Sequence, residues 1–335
     1  MAGRPKHPQA PRRPARRAAD DRPQVVALTG ACGWFGRLVL PALARHPQVG
    51  RIVCLDVDDP RVSDPKVLYH TFDLTTPTAD RLLADILARE NATAFAHAAA
   101  LARPPHDQTF GHELMVIGTI NVLNACAEVG VRRIAALSTT LAYGARPDNP
   151  NYLTEDAPLR GGRGYPYVAD RVEADRLLTE HAARRPGTSV AVLRPCTVMG
   201  GGSRDMVARY LRGPIVPTLW GLDPLIQFVH ESDVVEAFVR CLLAGASGAY
   251  NVVGEGVLLL SSAIKLLGNV NWPFIPGVLR GASDLLWSAR AAGYQAEFLD
   301  YLRYLWVADG SKIRRELGFS PRLNSREALS GVPGY

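Results

Sequence analysis

The sequence predicts an α/β fold, a doubly wound parallel sheet with a smaller C-terminal lobe. Three observations carry this. Short, continuous apolar runs alternate with amphipathic helical patterns between residues 25 and 195. A glycine triplet follows the first apolar run directly. Beyond Arg194 the pattern loosens and Gly and Pro cluster through 200–224. Apolar strands alternating with helices mean βαβ units and a sheet covered on both faces. With 335 residues, 47% hydrophobic and 21% charged, the chain is long and apolar enough to bury such a core.

The elements follow in order. Val25–Thr29 is a β-branched run, then come the glycines and a helix over Leu38–Arg45. Arg51–Asp56 reads as a strand and Arg81–Arg89 as a helix, with Leu82, Leu83, Ile86 and Leu87 at helical spacing. Ala92–Ala98 is a third strand, His112–Val129 a long helix and Ile134–Ser138 a fourth strand. Tyr167–Arg184 is helical and Ser189–Arg194 extended. The expected organisation is a basic tail over 1–22, a dinucleotide-binding domain over 23–195 and a substrate lobe over 196–335. The lobe is interleaved with one more core element around 227–243.

The most informative motif is Thr29-Gly30-Ala31-Cys32-Gly33-Trp34-Phe35-Gly36. Gly30 lets the chain turn out of the strand, Gly33 lets backbone approach a pyrophosphate, and Gly36 lets the helix pack close. The helix N-terminus offers free N–H groups to phosphates. This strand–turn–helix context identifies a Rossmann-type nucleotide loop. Asp56 ends the second strand 20 residues after Gly36, where a carboxylate accepts from ribose hydroxyls and repels a 2′-phosphate. NAD is therefore expected over NADP.

The net charge of +6 is uneven, because residues 1–22 hold seven basic and two acidic side chains. That Pro/Arg/Ala-rich tail lacks apolar bulk and reads as a disordered, solubilising leader. A basic arm for nucleic acid or anionic lipid is the other reading, but no aromatic residues are interleaved for base stacking, and no nucleic-acid partner is expected. Cys32, Cys54, Cys126, Cys196 and Cys241 form no C-x-x-C pair and read as free thiols of a cytoplasmic protein. No His/Cys/Asp cluster has ligand spacing, so no catalytic metal is expected. Uncharged stretches reach 14 residues, too short to span a bilayer.

Taken together, the motifs resemble the extended short-chain dehydrogenase/reductases, the NAD-dependent epimerase/dehydratase group. Beside the loop stand Asp73-Leu74, similar to its adenine-contacting pair, and His97-Ala98-Ala99-Ala100, similar to its segment beneath the cofactor. Gly118-Thr119-Ile120-Asn121, Leu193-Arg194-Pro195, Phe228-Val229-His230-Glu231-Ser232-Asp233-Val234, Tyr250-Asn251-Val252 and Leu317-Gly318-Phe319-Ser320-Pro321 follow in the family's order. The resemblance implies Thr139 as the catalytic hydroxyl, four residues before Tyr143-Gly144, with Ser138 and Thr140 beside it. It implies Tyr167 as catalytic tyrosine and Arg171 in the place of the Y-x-x-x-K lysine. It implies cofactor contacts at Thr29, Gly30, Gly33, Trp34, Phe35, Gly36, Asp56, Asp73, Leu74, Ala98, Ala99, Tyr167, Arg171, Arg194 and Pro195, and substrate contacts at Tyr143 and His230. A small-molecule substrate and a homodimer are implied as well. Met115 stands where the group has Asn, and Ile226 where sugar-nucleotide enzymes carry Arg.

Residues four apart share a helix face, so the Arg171 cation can reach the Tyr167 phenol and favour phenolate. Arg keeps the charge of Lys but, with a pKa above ~12, relays no proton. The expected activity is oxidation of a secondary alcohol on a sugar or sugar nucleotide. Two alternatives stand beside it. One is an oxidoreductase for an apolar sterol- or isoprenoid-like alcohol. The other is a weakly catalytic NAD-binding regulator. The apolar run Trp272–Trp287 reads as ordinary lobe core, with an apolar cleft or a membrane-resting surface as the other possibility.

Overall fold

The structure is a computed structural model describing residues 23–291 and 293–331. The basic tail lies outside the described residues. The first half builds β1 (Gln24–Thr29), α1 (Gly36–Arg45), β2 (Val49–Asp56), β3 (Val67–Thr71), α2 (Ala79–Arg89) and β4 (Ala94–His97). Then come α3 (Gln108–His112), α4 (Gly118–Val129), β5 (Arg133–Leu137), α5 (Pro166–Arg184) and β6 (Ser189–Pro195). A π-helical turn over Glu113–Ile117 joins α3 to α4, so the expected long helix is two helices with a wider turn between them. β3 was not anticipated: it is an edge strand whose residues are half-exposed, so it lacks the continuous apolar run of its neighbours.

The remainder builds β7 (Thr197–Met199), α6 (Met206–Leu211), β8 (Ile215–Leu219), β9 (Leu225–Ile226), β10 (Phe228–His230), α7 (Glu231–Ala244) and β11 (Gly248–Val252). β12 (Leu258–Leu259), α8 (Leu260–Leu266), β13 (Val270–Phe274), α9 (Pro276–Ser288), α10 (Ser311–Leu317) and α11 (Ser325–Ser330) complete it. Seven strands form one sheet in the order β11-β6-β5-β4-β1-β2-β3, every neighbour pair parallel. Chain order reverses between β1 and β4, the switch point at which doubly wound sheets open a crevice.

The period of two along a strand separates two cores. Val26 and Leu28 pack with α1 and α7 on one face, while Ala27 packs with α2 and α4 on the other. Helix α1 buries Val39, Leu40 and Leu43, each contributing roughly 1.5–3 kcal/mol by leaving water. Three small two-stranded sheets, β7–β10, β9–β12 and β8–β13, stand apart from the main one among the described residues. The apolar run from Trp272 does not form the expected lobe core. In α9 only Leu279 and Ser283 are buried, a correction taken up below. None of the described helices is long and apolar enough to cross a membrane.

Candidate active site

The glycine loop sits at the switch point. Gly30 takes φ +71°, and a Cβ there would fall 2.6 Å from the Ala99 backbone. At Gly36 a Cβ would meet the Gly30 carbonyl at 1.9 Å. Loop and β4 therefore pack backbone to backbone. The Ala98 amide bonds the Thr29 carbonyl at 3.2 Å, holding the 98–99 segment beside the loop. Asp56 fixes the turn from the next strand: its carboxylate accepts from the Cys32 and Val57 amides, each at 2.8 Å. The Trp34 and Phe35 amides, at the mouth of α1, have no acceptor among the described residues. Phe35 itself is core, edge-on to Phe238 at 5.2 Å. Asp73 accepts from the Thr75 amide and hydroxyl, and the Leu74 carbonyl accepts from Asn121 at 3.1 Å.

Thr139, Tyr167 and Arg171 line one small pocket with Trp34, Pro195 and Asp205. Arg171 donates to the Tyr167 hydroxyl at 3.0 Å, and its guanidinium lies 4.9 Å from the ring centroid. This is the i, i+4 spacing on α5 made visible. Burial raises the Tyr167 pKa above its ordinary value; the Arg171 charge opposes this and Asp205 adds to it. The Thr139 oxygen accepts from the Leu141 amide at 3.2 Å, which leaves its O–H to donate elsewhere. Its neighbour Ser138 is committed to Asp175 at 2.7 Å. Tyr165, two residues before Tyr167, turns the other way, its hydroxyl on the Met206 sulfur at 3.1 Å.

One part of the pocket was not foreseen. The loop after β4 folds across it as a strap. The Leu101 carbonyl accepts from the Tyr167 hydroxyl at 3.1 Å and also from Arg171, and Ala102 lines the pocket beside them. Asp205, also missed, caps α6 by accepting from the Val207 and Ala208 amides. An Asp just before an apolar run was its available signal. Burial raises its pKa.

Three expected contacts are placed elsewhere. Arg194 is buried and turned to Asp175, with Nε and Nη2 meeting the two carboxylate oxygens at 2.8 and 2.7 Å. Burial alone would lower its pKa; the hydrogen bonds and charge of Asp175 reverse that and hold it raised. Tyr143 is buried, its hydroxyl bonded to Asn251 at 2.8 Å and Arg194 at 3.0 Å, and burial raises its pKa to about 12. Tyr143 thereby links to β11, whose Asn251 also donates to the Leu153 and Asp309 carbonyls. His230 caps α7 and faces a groove between α1 and α7, away from Tyr167. His97 lies between the Thr29 and Thr119 hydroxyls, and burial lowers its pKa to about 4, so it stays neutral.

A family model for the NAD dependent epimerase/dehydratase family matches residues 26–253. An uncharacterised protein of Mycobacterium tuberculosis is 30% identical over 314 residues, covering 92% of this chain and 82% of that protein. Among solved structures, dTDP-glucose 4,6-dehydratase from Bacillus anthracis in complex with NAD superposes with TM-score 0.69 at 16% identity, covering 92% of this chain and 95% of that one. UDP-glucose 4-epimerase from Thermotoga maritima with UDP-glucose gives 0.68 at 19%, covering 92% and 96%. At these identities the solved structures establish the fold; the family model and the mycobacterial relative establish kinship. The chain belongs to the NAD-dependent epimerase/dehydratase family.

Proposed function

We propose that the protein is an NAD-dependent oxidoreductase of the epimerase/dehydratase type, acting on a secondary alcohol of a sugar or sugar nucleotide. The observation that carries this reading is the buried Tyr167 hydroxyl held at 3.0 Å by the Arg171 cation, in one pocket with Thr139. The dehydratase and epimerase that share this fold, with their NAD and UDP-glucose, support the substrate class.

The residues fit the cofactor. The Trp34 and Phe35 amides at the mouth of α1 suit a pyrophosphate, and Asp56 suits ribose hydroxyls. The Arg171 Nε is a buried donor without a partner among the described residues. When bound, NAD supplies the hydride acceptor. Thr139 donates its free O–H to the substrate oxygen. Tyr167 takes the substrate's hydroxyl proton on its phenolate oxygen. Arg171 stabilises that phenolate by charge and carries no proton itself. For a substrate oxygen to reach Tyr167, the Leu101 carbonyl must withdraw.

Native mass spectrometry of the purified protein, followed by titration with NAD and NADP, tests the reading. Co-purified or added NAD is expected to bind, and more tightly than NADP. Binding of neither dinucleotide overturns it. A second reading, an apolar alcohol as substrate, is favoured by the pocket walls Leu137, Leu141, Val198 and Met206. Turnover of a sterol but of no sugar nucleotide would select it.

A further inference from the structure

We propose that the face formed by β8, β13 and α9 docks on the surface of an anionic lipid bilayer. Helix α9 has 13 residues and buries two of them. Ile275, Val278, Ala282, Leu285, Leu286 and Ala289 fall within an arc of about 100°. All six are exposed, Leu285 at 71% and Ile275 at 65%. The two-stranded sheet continues the face. In register, Ile215 pairs with Val270 and Pro217 with Trp272. Val216 and Thr218 point inward and are buried, while Ile215, Val270 and Trp272 remain exposed. Trp220, directly after β8, is 69% exposed.

An apolar patch of this extent marks a docking surface. Its composition selects the occupant. Apart from the two indole N–H groups, its large side chains present no hydrogen-bonding atoms, whereas a protein interface carries about one hydrogen bond per 100–200 Å². Fluid hydrocarbon requires none. Exposed Trp beside an amphipathic helix suits the headgroup boundary, where the ring is buried and the N–H stays wet. Cations stand in the adjoining sequence: Lys265 near the end of α8, ahead of β13, and Arg290 after α9, both exposed. They suit anionic headgroups.

The face is joined to the pocket. Trp287 of α9 stacks on His106 at 4.1 Å and 20°, and His106 ends the strap whose Leu101 carbonyl meets Tyr167. Docking would therefore load the helix whose other side holds the strap. This last consequence rests on the reading of Tyr167 given above; the docking itself does not.

The test is flotation of the full chain with vesicles of equal parts phosphatidylcholine and phosphatidylglycerol. Wild type, Y167F and L82E (Leu82 is an exposed apolar residue on α2, away from this face) are expected to float. The double variant I275E/L285E is expected to lose about tenfold in bound fraction. Circular dichroism and thermal melts matching wild type would show that its fold is kept. Wild type that stays with the unbound protein overturns the proposal. So does a double variant that floats as well as wild type, since the tail would then suffice. A wild-type dimer that becomes a monomer in I275E/L285E, without flotation, assigns the face to a second copy instead. Normal flotation with full turnover in Y167F would sink the active-site reading alone.

Discussion

Arg194 and Arg171 form a natural pair for comparison. Each is buried and each lies over a tyrosine ring, Arg194 at 5.1 Å from Tyr143 and Arg171 at 4.9 Å from Tyr167. Each donates to its tyrosine's hydroxyl at 3.0 Å. The difference is the third partner. Arg194 has a carboxylate, Asp175, that takes two of its nitrogens, and its remaining nitrogen also reaches the Glu155 carbonyl at 3.2 Å. Among the described residues Arg171 has no carboxylate bonded to it, only a strap carbonyl, and its Nε is unpartnered. A fully partnered cation holds a fold together; a half-partnered one is left with donors for a ligand.

The largest expected effect breaks the Arg171 side. Tyr167→Phe should lower kcat by about 10²–10⁴ while leaving the Kd for NAD within a few fold, as measured by steady-state kinetics and calorimetry. Asp175→Asn breaks the other side. It leaves Arg194 short of its counter-charge, and urea unfolding should show a loss of roughly 3–5 kcal/mol. Asp56→Ala removes the acceptor at the end of β2 and should weaken NAD binding by about 10–100-fold in titration, with a smaller effect on NADP.

Lysine exchange sharpens the contrast at smaller scale. Arg194→Lys loses a bidentate fork and should cost about 1–3 kcal/mol of stability, whereas Arg171→Lys should change stability by no more than about 0.5 kcal/mol. The pH profile separates them further. In the proposed mechanism Tyr167 acts deprotonated, and the Arg171 charge lowers a pKa that burial has raised. Removing the charge in Arg171→Met therefore moves the acidic limb of the kcat profile to higher pH. A limb that stays in place, or moves down, would show that Arg171 does not tune the phenol.

The parts legible in the sequence are those set by local pattern. The glycine spacing, the apolar runs and the Tyr167–Arg171 interval each depend on neighbours within a turn or a strand. The parts that were not legible depend on partners far along the chain. Arg194 sits at the end of a strand like a cofactor contact, yet its partner lies 19 residues earlier and its tyrosine 51 residues earlier. Tyr143 is claimed by Asn251, 108 residues away. The strap acts through a backbone carbonyl, which no side-chain pattern announces. The 272–287 segment carries the apolar periodicity of a core element, and periodicity alone does not say whether the apolar side meets protein or solvent. The edge strand β3 failed to register for the converse reason, being too polar to read as buried.

The strap has a thermodynamic consequence of its own. With the Leu101 carbonyl on Tyr167 and Arg171, this conformation is not competent to receive a substrate oxygen. On the reading proposed for Tyr167, substrate would bind only the fraction of molecules in which the loop has swung away, and the apparent Kd would exceed the intrinsic one by the reciprocal of that fraction. If one molecule in about a hundred is open, substrate affinity falls about a hundredfold, and anything that favours the open population gives it back without touching the chemistry.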